Sequence, residues 1–251
     1  MATTFIKWAS VSSSLALGAW SLMITRTVHR VKPSSISVYD TSEESFLHSQ
    51  TCSAVVNPRR HQVTSDTRSI QFHLPPSKTQ YSDEQILATF VKGFFGGWVF
   101  AAEGALLGAV KRIPKSREES IIWSSKALDE KTLPALHATL FGAFQLVDRC
   151  LDVATTNVVH TPAQSSYVDF AFGSDESSFA GAHRFIVHRD HKPGARGGDV
   201  IRITFASMVC NPTQNKPMFL ASLYAFHRFY AQLLFREAVA HVFSRQEQTA
   251  L

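Results

Sequence analysis

The stretch "SYVDFAFGSDESSFAGAHRFIVHRD", residues 166–190, alternates apolar and polar side chains on both sides of a central polar turn. Alternation with a period of two is typical of half-buried strands, so residues 167–172 and 182–189 are predicted to form neighbouring strands. One apolar position of the second strand is occupied by His183. This histidine is therefore either part of a functional site or a core residue whose hydrogen bonds are satisfied.

Two predicted helices accompany these strands. Ser82, followed by two acidic residues and then Gln85, has the pattern of a capping box and predicts a helix over residues 83–110. An apolar stripe predicts a long amphipathic helix over residues 217–245. Further strand patterns lie at residues 69–74, 138–153 and 199–209. Antiparallel strands followed by a long helix predict an α+β domain, in which a curved antiparallel sheet wraps around the C-terminal helix and leaves a cavity.

The charge distribution argues against a nucleic-acid partner. The chain has 251 residues, 45% of them hydrophobic, and a formal net charge of +5. Residues 1–39 contain four basic residues and no acidic one, so they carry most of the positive charge. Domains that bind nucleic acid normally carry a clustered basic face, because phosphate contacts supply much of their affinity. The main body is close to neutral, and we predict no nucleic-acid binding.

The N-terminal region contains an uncharged run, residues 8–25, with basic residues on both sides. A single membrane anchor accounts for this run, and the positive charge after it favours a cytoplasmic main domain. A mitochondrial presequence, a cleaved secretory signal and a loosely held N-terminus are the alternatives. The predicted organisation is an anchor or targeting segment at 1–32, a linker at 33–53, the α+β domain at 54–245 and a tail at 246–251.

A second apolar run, "GFFGGWVFAAEGALLGAV" at residues 93–110, is interrupted only by Glu103. Its small residues would allow close packing of helices within a membrane, as well as packing against a sheet. A glutamate near the middle of a membrane span is costly. A soluble helix is therefore the main prediction for this run, and a second membrane span is the alternative.

Several stretches carry a resemblance to a known superfamily: "FQLVDR" (144–149), "VDFAFGSDESSFAGAHRFIVHRD" (168–190), "GDVIRITFASMVCNPTQNKP" (198–217) and "FHRFYAQLLFREAV" (226–239). Over residues 54–245 the chain resembles the START-like (SRPBCC), helix-grip superfamily. It is also similar to uncharacterised fungal proteins, some of them encoded near polyketide biosynthesis genes. The resemblance implies an apolar ligand pocket between the sheet and the last helix, but a shared fold does not define the chemistry.

The candidate site consists of polar side chains on strand faces that are otherwise apolar. A carboxylate beside a histidine can form an acid/base pair, so Asp148 and His183 are the predicted catalytic residues. An apolar pocket with a few convergent polar groups is the usual form of a small-molecule site. The predicted ligand-binding residues are Phe144, Phe170, Phe172, Phe185, Phe205, Ser207, His227 and Tyr230. For each of these residues a purely structural role in the core is the alternative.

These patterns predict a protein that binds an apolar small molecule and processes it without a cofactor. The predicted reaction types are those of a cyclase, dehydratase or isomerase, since each needs a proton shuttle. The resemblance to fungal proteins implies a role in fungal secondary metabolism. The sequence contains no GxSxG, HExxH, Walker-type or GxGxxG motif, and no metal or cofactor is predicted. A lipid or metabolite carrier held at a membrane, and a membrane-associated interaction protein without a ligand, are the alternatives.

Overall fold

The computed structural model describes residues 18–74, 81–110, 121–152, 165–190, 199–218 and 221–248. The strands are β1 (Ile36–Tyr39), β2 (Val63–Leu74), β3 (Ile121–Ile122), β4 (Thr139–Leu140), β5 (Phe144–Cys150), β6 (Ser166–Gly173), β7 (Ala180–Asp190) and β8 (Asp199–Cys210). The helices are α1 (residues 18–28), α2 (Glu44–Leu47), α3 (Asp83–Gly96), α4 (Trp98–Val110) and α5 (Ala221–Gln248). Short helical turns lie at Pro33–Ser35, Thr51–Val56 and Ser125–Ala127. The predicted α+β class and the predicted strands are confirmed.

The strands form one open sheet in the order β1-β2-β8-β7-β6-β5-β4-β3. All neighbours are antiparallel except β3 and β4, which form a short parallel pair. The long strands β2, β8 and β7 pair along nearly their whole length, which places the first long strand beside the last one. One face of this sheet carries the main hydrophobic core.

Helices α3 and α5 both cover the inner, apolar face of the sheet. Phe94 of α3 packs on Phe185 of β7, with 4.9 Å between ring centroids, and on Phe205 of β8 at 5.1 Å. Helix α5 lies beside α3 and reaches β2, where Phe243 packs edge-on against Phe72 at 5.0 Å. The middle of the sheet is therefore covered by α3, and the C-terminal helix lies against α3 and β2.

The prediction of one continuous helix over 83–110 is wrong, because the chain bends by 66° between α3 and α4 at Gly97. The break is stabilised by the buried carboxylate of Glu237 on α5. The backbone N–H groups of Trp98 and Val99 donate to its two oxygens, each over 2.8 Å. These bonds satisfy donors that have no partner within α4, so α5 defines where the second helix begins.

We expect the substitution Gly97→Ala to destabilise the protein by about 2 kcal/mol, because a Cβ at this position would overlap the Glu237 carboxylate. Chemical denaturation measures the change. Gly108→Ala in the same region is the matched control, since a Cβ there meets nothing within 4 Å. The control is expected to be neutral or to stabilise α4 by up to about 1 kcal/mol. Equal effects of both substitutions would contradict this role of Gly97.

The outer face of the sheet is covered by residues that the sequence assigned to a linker. Strand β1 pairs with β2, and Phe46 of α2 and Cys52 of the turn Thr51–Val56 are buried in a second hydrophobic cluster. The prediction of a linker over 33–53 is therefore wrong. The serine-rich composition of this segment conceals a few apolar residues with no regular period, and these become buried against small residues of the sheet.

The N-terminal segment is described only from residue 18. Residues 1–17 of the predicted anchor or targeting segment lie outside the described residues. At and after the end of α1, Val28 and Val31 are buried in the main core, and Arg236 donates to their carbonyl oxygens over 3.0 and 2.9 Å respectively. The packed domain therefore begins before residue 54, where the prediction placed its start.

Candidate functional site

A cavity of about 310 Å³ lies between α3, α4, α5 and the ends of β5 to β8. Its walls are mostly aromatic and aliphatic, and four polar side chains reach them: Glu103, His183, His227 and Tyr230. Gly173 and Phe179 also line the cavity, and both are exposed to solvent at the turn between β6 and β7. The cavity therefore reaches the surface at this turn. Its volume and composition are within the range of small-molecule sites.

His183 is enclosed by phenylalanine rings. The centroid of its imidazole lies 4.7 Å from Phe172, 5.1 Å from Phe205 and 5.8 Å from both Phe94 and Phe144. The strand register explains the position, because His183 pairs with Phe170 on one side and with Ser207 on the other, on the inner face. Its side chain therefore lies at the aromatic end of the cavity.

One ring nitrogen of His183 is buried without a hydrogen-bond partner among the described residues. Only 8% of the residue is exposed, and no group of the described residues makes a hydrogen bond to its Nδ1 atom. Burial lowers the pKa of His183 to about 3, and the nearby His227 and Arg68 act in the same direction. The imidazole is therefore neutral near pH 7. An unpaired buried polar atom costs roughly 1–3 kcal/mol, which a ligand hydrogen bond would recover.

Glu103 and Tyr230 form the second polar group of the cavity. The Tyr230 hydroxyl donates to Glu103 Oε2 over 2.8 Å and joins α4 to α5. Burial raises the pKa of Glu103 above its ordinary value, and the hydrogen bond from Tyr230 offsets part of this increase. A carboxyl group with a raised pKa is a stronger base than an ordinary glutamate and can return the proton that it accepts, as general acid/base catalysis requires.

A buried ion pair lies close to His183 and His227. Arg68 Nη2 is 2.9 Å from Asp66 Oδ2, and both side chains are 1% exposed. Arg68 also donates to the Gln232 side chain over 3.2 Å and to the Arg228 carbonyl over 3.0 Å, so it ties β2 to α5. Burial lowers the pKa of His227, and Asp66 partly counteracts this shift.

The structure contradicts the predicted pairing of Asp148 with His183. Asp148 accepts a hydrogen bond from the Tyr167 hydroxyl over 3.0 Å and is paired in register with Asp169, on the outer face of the sheet. A β-bulge between Leu146 and Asp148 shifts the alternation by one residue. Asp148 and His183 therefore lie on opposite faces, and Asp148 does not line the cavity.

The other predicted residues divide into two groups. Phe144, Phe172, His183, Phe205, His227 and Tyr230 line the cavity. Phe170 and Phe185 are fully buried beneath α3, where their rings pack against Phe95 and Phe94 over 5.3 and 4.9 Å. Ser207 is buried on the same face beside His183 but is not a wall residue. Phe170, Phe185 and Ser207 are therefore buried without lining the cavity.

The sequence interpretation did not include Glu103 in the site. The available signal was its position as the sole polar residue of α4, which is typical of a side chain with a specific partner. Within the described parts of the chain, no group of three or more His, Cys, Asp or Glu residues could hold a metal ion. The buried thiols of Cys52 and Cys210 form no disulfide within the described residues. Neither protein-family models nor curated proteins give a match to this chain.

Proposed function

We propose that the protein binds an apolar small molecule with at least one hydrogen-bonding group in the cavity between α4, α5 and the sheet. The observation that carries the proposal is His183, a buried imidazole with an unpaired Nδ1 in the wall of an aromatic cavity. The rings provide apolar contact area, and the imidazole can orient a carbonyl, hydroxyl or amino group of the ligand. Such a ligand resembles a polyketide-type metabolite in its chemistry.

We further propose that Glu103 exchanges a proton with the bound molecule. In an enolisation, the Glu103 carboxylate would take a proton from a carbon beside a carbonyl group, and the electron pair would move to the carbonyl oxygen. A neutral imidazole such as His183 can donate a hydrogen bond to that oxygen. Returning the proton to another atom completes an isomerisation, and similar transfers serve cyclisation and dehydration. Glu103 replaces Asp148 in this role.

Two features support a helix-grip assignment for the domain. The first long strand lies beside the last one, and α5 is tied to β2 through Arg68. As part of the same proposal, the main domain associates with a membrane and lies on its cytoplasmic side or in mitochondria. It is motivated by the uncharged N-terminal run.

A non-catalytic carrier is the second candidate function. It is favoured by the low pKa of His183, which makes this residue a hydrogen-bonding group and a poor base. A carrier needs only the apolar walls and one orienting group. An interaction protein without a ligand is less compatible with a cavity of about 310 Å³.

The substitution Ala231→Trp tests ligand binding, because Ala231 is buried in the cavity wall and an indole would fill much of the space. We expect the dissociation constant of an aminoanthracene fluorophore, an apolar ring system with a single amino group, to rise at least about tenfold. Fluorescence titration of the full chain measures it. Ala54→Trp places the same side chain at an exposed position and should leave binding unchanged.

Equal binding by the wild type and Ala231→Trp, with circular dichroism showing both proteins folded, would refute the cavity as the binding site.

A second variant distinguishes an enzyme from a carrier. Glu103→Gln keeps the shape of the side chain and an acceptor for Tyr230, but removes the exchangeable carboxyl proton. Metabolite profiles of cells that contain only this variant should match those of cells without the protein if Glu103 is catalytic. Normal profiles with retained binding would assign the carrier role.

A further inference from the structure

Helix α4 is apolar on its inner side, where Val99 and Phe100 are buried, and also on its outer side, unlike an ordinary surface helix. Its sole polar residue, Glu103, faces the cavity and accepts the hydrogen bond from Tyr230. Its exposed positions carry only tryptophan, alanine, leucine and valine: Trp98, Ala101, Ala102, Ala105, Leu106, Ala109 and Val110. A helix facing water normally shows polar residues on its outer side. The outer side of α4 is therefore suited to an apolar environment.

Neighbouring helices extend this surface. Leu106 on α4 is 65% exposed, and Phe226 and Phe229 on α5 are 63% and 61% exposed. The Tyr230 ring stacks on Phe226 while its hydroxyl reaches Glu103, so these phenylalanines lie close to α4. We call the outer side of α4 together with Phe226 and Phe229 the apolar face. Exposed apolar surface of this kind marks a binding surface for a membrane or a protein.

The N-terminal segment meets the same surface. The Trp20 indole N–H on α1 donates to the Trp98 carbonyl oxygen over 2.9 Å, which places α1 beside the first turn of α4. The uncharged run 8–25 leads directly into this contact. The described end of this run, residues 18–25, therefore lies beside the apolar face.

Basic residues flank α1 and α4 in the sequence. Arg26, Arg30 and Lys32 lie in and after α1, and residues 111–117, which follow α4 directly, contain four basic residues and no acidic one. Cationic side chains next to an exposed apolar helix are typical of binding to an anionic lipid surface. A second copy of the chain would bring the same positive charges together, which is unfavourable.

The dimensions of α4 fit a position in the plane of a membrane interface. Among the described helices, none is by itself long and apolar enough to cross a bilayer, although the bent pair α3–α4 meets the same test of length and composition. Helix α3 is occupied in the core, where Phe90, Phe94 and Phe95 are buried. The 13 residues of α4 extend over roughly 20 Å, less than the hydrocarbon thickness of about 30 Å.

We propose that the apolar face lies in the interfacial region of an anionic lipid bilayer and that the cavity takes its ligand from this bilayer. The second half of this statement rests on the proposed function. Glu103 and Leu107 of α4 and His227 and Tyr230 of α5 form the cavity wall, and the apolar face lies on the other side of these two helices. Separation of α4 from α5 would connect the lipid directly with the cavity.

A fluorescent bimane on Leu106→Cys of the full chain tests the docking, in a Cys150→Ser background because Cys52 and Cys210 are buried. With vesicles of phosphatidylcholine and phosphatidylserine, we expect its emission to shift to the blue and to be quenched by lipids carrying a nitroxide in the acyl chain. The same label on Val55→Cys, an exposed residue of the turn Thr51–Val56, should show neither effect.

A label at position 106 that stays in water while the chain is bound to vesicles would mean that only the N-terminal segment inserts, and the proposal would fail. A blue shift without vesicles that grows with protein concentration would identify a second copy as the occupant and also overturn it. The double variant Leu106→Glu/Phe229→Glu should reduce probe uptake from vesicles at least about tenfold but keep binding of dissolved probe. Ala231→Trp should abolish both the uptake of probe from vesicles and the binding of dissolved probe, while the bimane at position 106 stays inserted in the lipid. This variant therefore tests the cavity separately from the docking.

Discussion

Replacement of Arg184 by methionine is expected to lower the free energy of unfolding by about 3–5 kcal/mol. The Arg184 guanidinium donates to both carboxylate oxygens of Asp169, over 2.6 and 2.7 Å, and Asp169 is fully buried. The guanidinium also lies over the rings of Tyr167 and Phe46, at 4.0 and 5.0 Å from their centroids. Arg184→Met would leave a buried carboxylate without its counterion, at the position where α2 covers the sheet. Guanidinium chloride unfolding of the full chain measures the loss.

The double variant Arg184→Met/Asp169→Leu is the matched control. Replacing a whole buried ion pair with apolar side chains is often close to neutral, so most of the lost stability should return. A double-mutant cycle then gives the coupling energy of the pair. A loss below about 1 kcal/mol in the single variant would mean that water reaches Asp169 and that the outer cluster is looser than the structure indicates.

The second large effect is the loss of folding stability at acidic pH that follows from the burial of neutral His183. Its pKa of about 3 in the folded protein lies below the ordinary histidine value of 6.5, so the unfolded chain binds this proton first as the pH falls. The stability associated with neutral His183 is therefore complete above pH 6.5 and decreases as the pH falls towards 3. At about pH 4 the loss amounts to roughly 3 kcal/mol, from about 1.4 kcal/mol per pH unit.

His183→Phe removes the titrating group and keeps an aromatic ring among the surrounding phenylalanines. We expect the variant to lose less stability than the wild type between pH 7 and about pH 4, by the same roughly 3 kcal/mol. Urea unfolding at a series of pH values measures the difference. His48→Gln, which removes an imidazole whose side chain is 78% exposed, is the control. Parallel stability curves for His183→Phe and the wild type would show that His183 accepts a proton in the folded state, and its place in the site would need revision.

The strands and the start of α3 were predictable because their signals are local. Alternation of apolar residues identified β6, β7 and β8, and the capping box at Ser82 forms as expected, with Gln85 N–H donating to its hydroxyl over 3.2 Å. Six of the ten predicted site residues line the cavity. Four of them lie on strands, where a period of two turns every second side chain to the same face, and His227 and Tyr230 lie on the apolar stripe of α5.

The errors have a common origin in contacts between distant segments. The bulge in β5 moves Asp148 to the outer face, and such a bulge depends on the pairing with β6. Likewise, the direction of α4 depends on Glu237, which is far along the chain but caps the first turn of that helix. The position of Glu103 in the cavity follows from this bend. Neither contact leaves a periodic signal in the sequence.

The sequence by itself determined the α+β class, the main strands and the aromatic residues that surround His183, because periodicity and capping act over a few neighbouring residues. Tertiary structure alone decided which carboxylate reaches the cavity and which side of α4 faces outward. These choices depend on the angle between α3 and α4 and on one β-bulge. Both are stabilised by hydrogen bonds and packing between segments that become neighbours only when the chain is folded.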